Sequence, residues 1–416
     1  MKLFPLIASH VSLNVVIQIL NLLTSVAVIS LLPFSEMGIF AIAMVVAGVF
    51  GLFATLRIEW IVLNTKGARQ ARFATNCGLL VALLVAPVAF FVMSLFASMG
   101  ILNFEKTTLP LIALAAVFTF TFACQRMLLT YHLSTHPVRK NLQARLFHAV
   151  VRLIATTLVC FLYGLAPAIL MGEIAASISV ILLINNWHEF SKLFASARIK
   201  FAWLLKHHRN ILFFATPSAI LGNLGTTLAP TIVISVSGLD AGGLVYTVQR
   251  IAGAPVKFAL TTVGEVWHKL VQAGNSIAVK IGKSPGLLMA GMITIWLSMF
   301  VGVVVLLELA TWWFEPVMGD KLSKTLQAID SYKIYICTTL AVNIFNRVIV
   351  YRNAVHKKLV GDFLYVCAPL LLLWLVPLYG YDAYGTIWML ALLQAVTYVY
   401  TAGLILYESR QWQKTK

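Results

Sequence analysis

Two cations on one helical stripe are the first chemistry this sequence offers. Tyr246, Arg250, Gly253 and Lys257 recur at steps of four, three and four, with Thr261 one turn further. That spacing puts side chains on one face of an α-helix. The surrounding run is apolar, and Arg250 stands about nine residues from its outer end, roughly 14 Å deep at 1.5 Å per residue. A guanidinium near mid-membrane costs at least about 2.5 kcal/mol on insertion scales, so it needs an acid, water or an anionic ligand. Its planar fork suits phosphate in a way an ammonium does not. Two readings follow: a structural ion pair with an intramembrane glutamate, or a positive group lining a wet lumen.

A second stripe is neutral. Asn14, Gln18, Asn21 and Ser25 follow the same steps near the N-terminus, and their amides and hydroxyl either bond helix to helix or line water. Basic residues within or at the ends of apolar runs are Arg57, Arg126, Arg152, Arg250, Lys257, Lys269, Lys333 and Arg347, against the acids Glu59, Glu173, Glu265 and Glu308. A shared interior lined by such a set would carry a positive field and attract anions. Arg152, Lys269 and Lys333 lie where their stems can snorkel instead. The four glutamates are candidates for proton coupling, Glu59 and Glu265 foremost. Pro217, Gly222, Gly225 and Pro230 fall within one apolar run, which reads as a kinked helix, either closely packed or acting as a hinge.

The elements that position these groups are membrane spans. Of the residues, 60% are hydrophobic and 11% charged, and mean hydropathy is +0.90, a composition whose solvent is mostly lipid. Runs near 8–32, 37–62, 73–97, 107–131, 146–163 and 167–185, then 211–235, 241–268, 287–311, 331–351, 361–379 and 383–407, are each long enough for the roughly 20 residues of a spanning helix. This predicts an all-α integral membrane protein of about twelve helices: a six-helix lobe over 1–185, a basic linker over 186–210 and a second six-helix lobe over 211–416. The N-terminal run is too long for a signal-peptide core and reads as the first span. No loop is long enough for a catalytic domain, and no phosphate-binding GxxxxGK[ST] is present, so neither an enzyme nor a self-contained ATP pump is expected. Cys77, Cys124, Cys160, Cys337 and Cys367 lie singly in apolar runs and read as small hydrophobes. His132 and His136 run into Pro137 and read as a solvated loop, so neither metal nor cofactor is expected.

Lysine and arginine set the orientation. One set of loops and tails holds Lys66, Arg69, Arg72, Arg139, Lys140, Arg145, Lys192, Arg198, Lys200, Lys206, Arg209, Lys280, Lys283, Arg352, Lys357, Lys358, Lys2, Arg410, Lys414 and Lys416, whereas the opposite loops hold only Lys106, Lys321 and Lys324. Both termini and the linker are therefore expected in the cytoplasm, the chain being a multi-pass protein of a bacterial inner membrane. The net charge of +17 mostly measures this bias. It favours anionic headgroups and, being scattered over short loops, gives no reason to expect nucleic acid.

The two halves echo one another. VIS at 28–30 recurs at 233–235, and the same offset sets Gly38 on Gly243 and Ala47-Gly48 on Ala252-Gly253. Glu36 and Asp240 sit in equivalent outer turns, and LYG occurs at 162–164 and 378–380 between the fifth and sixth runs of each half. An even number of spans per copy makes this a parallel repeat.

With those residues in view, the chain resembles the Wzx-type flippases of O-antigen and exopolysaccharide synthesis, within the multidrug, oligosaccharidyl-lipid and polysaccharide exporter superfamily. The stretch FSEMGIFAIAMVVAGVFGLFATLRIEWIVL, ending in Arg57-x-Glu59, is similar to the family's second helix, and QRMLLTYHLSTHPVRKNLQARLFHAVVRLIATTLVCFLYGLAPAILMGEI to its fourth-to-sixth region. Where members carry an aliphatic residue and proline after that helix, this chain reads IVLNTKGARQ. The resemblance implies a V-shaped alternating-access bundle with helices 1, 2, 7 and 8 lining a central cavity. It also implies an undecaprenyl-pyrophosphate-linked oligosaccharide as substrate, with a polysaccharide polymerase and chain-length proteins as partners.

Competing readings are set apart by residues. A cation-drug antiporter of the same superfamily should favour acidic cavity groups, opposite to the balance here. Peptidoglycan-precursor flippases usually have fourteen helices. A membrane glycosyltransferase or polymerase would show a large outer loop or an acidic metal motif, and LNTKGARQAR is a poor match to the loop of a major-facilitator transporter.

Overall fold

The computed structural model describes residues 3–64, 67–101, 107–135, 138–184, 202–203, 206, 208–209, 211–258, 276–346, 348–349, 352 and 354–414. Among the described residues every regular element is helical. In chain order these are α1 (Leu3–Leu31), α2 (Phe34–Thr55), α3 (Ile58–Asn64), α4 (Ala68–Met99), α5 (Leu109–Thr135), α6 (Val138–Tyr163) and α7 (Ala166–Ile184), followed by a π-helical turn (Ile211–Ala215). The second half comprises α8 (Thr216–Ser237), α9 (Leu239–Phe258), α10 (Ser276–Lys283), α11 (Pro285–Asn343), α12 (Val355–Tyr379) and α13 (Ala383–Lys414). Ten helices among the described residues are long and apolar enough to cross a membrane. Two more charged passes, α9 and the second half of α11, bring the architecture to about twelve. The expected basic linker lies mostly outside the described residues.

The chain divides into two compact units, one of Ile19–Thr227 and one of Leu228–Lys416 together with Met1–Gln18. In the first, α2 packs on α4, α5 and α7, and α6 packs on α7. Small residues set the spacing: a Cβ at Gly172 of α7 would lie 2.4 Å from the Thr156 backbone of α6, so only glycine permits this approach. The second span, expected as one helix over 37–62, is interrupted. Leu56 and Arg57 adopt φ of 45° and 55°, the left-handed region that costs a non-glycine residue roughly 1–2 kcal/mol. The short α3 then sets off to pack on α4, α5 and the π-helical turn.

In the second unit α11 packs on α9 and α13, and α12 on α13. Helical hydrogen bonding runs through all 59 residues of α11, where sequence placed an outer loop at 312–330. Beyond Pro316 and Gly319 the stretch is rich in helix formers, with Asp320 and Lys324 paired four residues apart at 2.7 Å. A straight helix of that length would reach roughly 88 Å. Yet Trp296 Nε1 donates to Thr338 at 3.1 Å, the Lys333 ammonium stands 5.6 Å from the Phe300 ring centre, and Leu288 packs with Val342. The chain therefore reverses between Phe300 and Lys333, and α11 supplies two antiparallel passes, as expected for 287–311 and 331–351.

The two LYG motifs end in turns of the same kind. Gly164 and Gly380, ending the two LYG motifs, take φ of 63° and 65°, and each N–H bonds the carbonyl four residues back, Cys160 and Val376, at 2.9 Å. Outward faces are apolar: Ile154, Leu158 and Phe161 of α6 and Leu370, Trp374 and Leu378 of α12 are exposed, as helices solvated by lipid require. Cys77, Cys124, Cys160 and Cys337 are buried.

Candidate functional site

Polar groups at membrane depth gather in distinct places in each unit. In the first unit Glu59, at the start of α3, accepts an ion pair from Arg126 of α5 at 2.8 Å and another from Arg57 at 3.5 Å. The Glu59 side chain is 5% exposed, whereas Arg57 and Arg126 keep 21% and 32%. The carboxylate is thus sealed while each guanidinium retains an open side. Arg57 also stands 5.3 Å from the Trp60 ring centre, in cation–π range. Ala54, Ile58, Ile61, Val62, Ala123 and Met127 form the apolar core around this triad, and low polarity there strengthens every charge interaction. The Arg57-x-Glu59 motif and Arg126, singled out apart from it in the sequence, are brought into one cluster.

A second cluster in that unit joins three helices. Arg152 of α6 pairs with Glu173 of α7 and donates to Asn21 Oδ1 of α1 at 2.9 Å. Arg152, expected to snorkel, is instead committed to this pair, and Asn21 is engaged with it. At the first outer turn Glu36 Oε2 accepts from the Ala166 N–H at 2.7 Å and so caps α7. The other copy caps its own sixth helix, with Asp382 Oδ1 taking the Gly385 N–H.

On α1 the polar stripe turns away from lipid. Val15, Val16, Ile19, Leu22, Leu23 and Val26 are the exposed face, whereas Asn14 and Ser25 are buried and Gln18 and Asn21 half-buried. Among the described residues Asn14 Nδ2 and Gln18 Oε1 have no hydrogen-bond partner, nor has Asn223 Nδ2 of α8. Asn223 was not singled out in the sequence, although an amide between Gly222 and Gly225 was a signal for it. Gly48 of α2 makes room for it, since a Cβ there would sit 2.7 Å from Asn223 Nδ2. Pro217 and Pro230 leave α8 helical from Thr216 to Ser237, and Thr226 back-bonds to the Gly222 carbonyl.

On α9, Gly242, Val245 and Val248 are buried, while Tyr246, Gln249, Arg250 and Gly253 form a partly open face. Among the described residues a Cβ at Gly253 would meet nothing within 4 Å. Arg250 lies on the same partly open face, on the stripe that sequence periodicity marked. The Lys257 side chain, Glu265 and Arg347 lie outside the described residues. Glu308 is exposed on α11 among Val305, Leu309 and Trp312, apart from the other sites.

The second unit also holds a neutral network that the sequence reading missed. Gln249 donates to the Tyr332 hydroxyl at 3.2 Å, and Tyr332, fully buried, donates to Gln394. The Tyr335 and Tyr365 hydroxyls bond each other, and Asn343 donates to Tyr398 at 3.3 Å. Polar residues inside the apolar runs were the available signal. One cluster of charges in this unit stands near the start of α12, where Lys357 reaches the buried Glu408 at 2.7 Å, Arg352 approaches it at 3.8 Å, and Lys358 pairs with Asp362.

The sequence matches no protein-family model and no curated protein. Solved structures do match its fold. The lipid II flippase MurJ in an inward closed conformation superposes with a TM-score of 0.64 at 13% identity, over 99% of this chain and 90% of that one. An inward-facing multidrug resistance MATE family transporter of the MOP superfamily gives 0.59 at 14% identity over 98% and 95%. A MOP superfamily transporter from Pyrococcus furiosus, described for the reverse polarity of its binding pocket, gives 0.55 at 14% over 97% and 95%. The chain has the fold of these transporters.

Proposed function

We propose that the protein is a flippase for undecaprenyl-pyrophosphate-linked oligosaccharide, acting in surface polysaccharide synthesis at a bacterial inner membrane. The observation that carries this reading is the α9 face, on which Arg250 stands beside Tyr246, Gln249 and an open Gly253. An arginine at membrane depth is costly in lipid, and a partly open polar face around it would admit water and anions. An anionic cargo fits that face, and a cationic drug does not. Asn14 Nδ2 and Gln18 Oε1, buried amide atoms with no hydrogen-bond partner among the described residues, suit a hydroxylated sugar. The membrane-level glutamates, Glu59 first, are the groups available for proton coupling, and a polymerase and chain-length proteins would receive the product.

Reconstitution tests this directly. Proteoliposomes should move a fluorescent undecaprenyl-pyrophosphate oligosaccharide between leaflets, and ethidium should not compete. Efflux of ethidium without lipid-oligosaccharide movement would favour the drug-transporter reading. The orientation proposed from the charge bias puts a reporter after Lys206 in the cytoplasm and one at Asp320 in the periplasm; the opposite labelling would reverse the direction of transport.

A further inference from the structure

Gln249, next to Arg250 on α9, is held by a buried chain that fixes which end of its amide faces out. Its Nε2 donates to the Tyr332 hydroxyl of α11 at 3.2 Å, and Tyr332 donates to Gln394 Oε1 of α13. Tyr332 and Gln394 are both fully buried. The Tyr332 ring lies 4.8 Å from that of Tyr335, whose own hydroxyl is bonded to Tyr365 of α12, so three helices hold the centre of the chain in place. A tyrosine hydroxyl has one hydrogen to give, and an amide carbonyl can only accept. With that hydrogen committed to Gln394, Tyr332 can only accept from Gln249. The Gln249 amide therefore turns its N–H inward and its carbonyl away from Tyr332.

Gln249 is half-buried on the partly open face of α9, and Gly253, one turn further along, sets no side chain over it. Neighbouring Cα atoms are about 3.8 Å apart, so that face puts unlike groups side by side, the donor-only fork of Arg250 and the acceptor-only oxygen of Gln249. A ligand that matches both carries anionic oxygens next to a hydroxyl or N–H donor. A sugar joined through pyrophosphate has that pattern. Bare pyrophosphate on a lipid ends in a phosphate that is mostly dianionic at neutral pH, and it sets acceptor against acceptor at Gln249. We propose that Gln249 is a specificity-determining residue that tells a sugar-loaded lipid carrier from an empty one, and that Tyr332 and Gln394 are positioning residues that set its polarity. Arg250 meets the pyrophosphate of either carrier, while the Gln249 carbonyl accepts from the first sugar and repels the terminal phosphate of the empty lipid. This deepens the proposed function and rests on it for the identity of the cargo.

The test uses purified full-length protein in nanodiscs and two probes, undecaprenyl pyrophosphate and the same lipid carrying one glucose, with binding curves read by thermophoresis. Wild type should bind the glucosylated lipid more tightly. Gln249→Leu should lower that preference about tenfold, the size of one neutral hydrogen bond, through weaker binding of the glucosylated lipid. Gln394→Met keeps the buried volume and leaves the Tyr332 hydrogen to Gln249, so the amide turns over and presents its N–H. The preference should then fall by a similar factor, but through tighter binding of the sugar-free lipid. A merely structural role would not move the two lipids in this way, since loosened packing weakens both alike. Tyr332→Phe releases the amide and should give a preference between those of wild type and Gln249→Leu. Unchanged preference in Gln249→Leu and Gln394→Met, or equal losses for both lipids, would overturn the assignment. A wild type that binds the two lipids equally would overturn it as well and leave the flippase reading standing, whereas a wild type that binds neither would overturn that reading and this assignment with it.

Discussion

The two units solve the same problem, polar groups at membrane depth, with different chemistry. The first relies on ion pairs: Glu59 between Arg57 and Arg126, and Arg152 with Glu173. The second relies on neutral hydrogen bonds through Tyr332, Gln249, Gln394, Tyr335 and Tyr365, and its described ion pairs stand near the start of α12 and within α11 at Asp320–Lys324 and Asp330–Lys333. The difference matters energetically. Removing one member of a buried ion pair strands a charge, at about 3–5 kcal/mol, whereas removing one neutral hydrogen-bonding group costs about 1–3 kcal/mol. The first unit is thus held by contacts whose loss strands a charge, and the second by contacts whose loss leaves a neutral group unsatisfied.

The sharpest break of this comparison is at Glu173. Glu173→Ala should strand Arg152 and lower stability by about 3 kcal/mol, seen as a large fall in the thermal midpoint in detergent. Adding Arg152→Leu should recover much of it; a double mutant as unstable as the single would refute the ion-pair account. Next in size is Tyr332→Phe, which leaves Gln249 and Gln394 without their shared hydroxyl and should cost about 1–3 kcal/mol. An unchanged midpoint there would mean the network is not a frame. Smallest, and equal in the two copies, are Gly164→Ala and Gly380→Ala, each about 1 kcal/mol for a left-handed glycine. Markedly unequal losses would show that the two turns are not equivalent.

How much of this was legible follows from how local each feature is. Span lengths, the polar stripe of α1 and the Tyr246–Arg250–Gly253 face of α9 depend on hydropathy and helical period, and both are written within a few turns of chain. The paired LYG turns were legible for the same reason. The Glu59 triad was legible only as separate residues: Arg126 lies far along the chain, and the Leu56–Arg57 break carries no glycine or proline to announce it. Gln394 and Tyr332 are likewise distant in sequence, and their bond depends on how α11 and α13 pack. Pro316 and Gly319, midway between the residues that meet across the reversal of α11, signalled that turn, while the helix formers beyond them made the rest of the expected loop helical and its two passes survived.

The central claim is that Arg250 meets the charge of the cargo, and one experiment addresses it most directly. Arg250→Ala and Arg250→Lys should be assayed together for lipid-oligosaccharide movement in proteoliposomes and for membrane abundance. The account predicts at least a hundredfold loss of transport for alanine at normal abundance, because the guanidinium engages the cargo and does not hold the fold, with partial recovery for lysine, which keeps the charge and loses the fork. Full transport by Arg250→Ala, or loss of the protein that neutralising a glutamate restores, would contradict it.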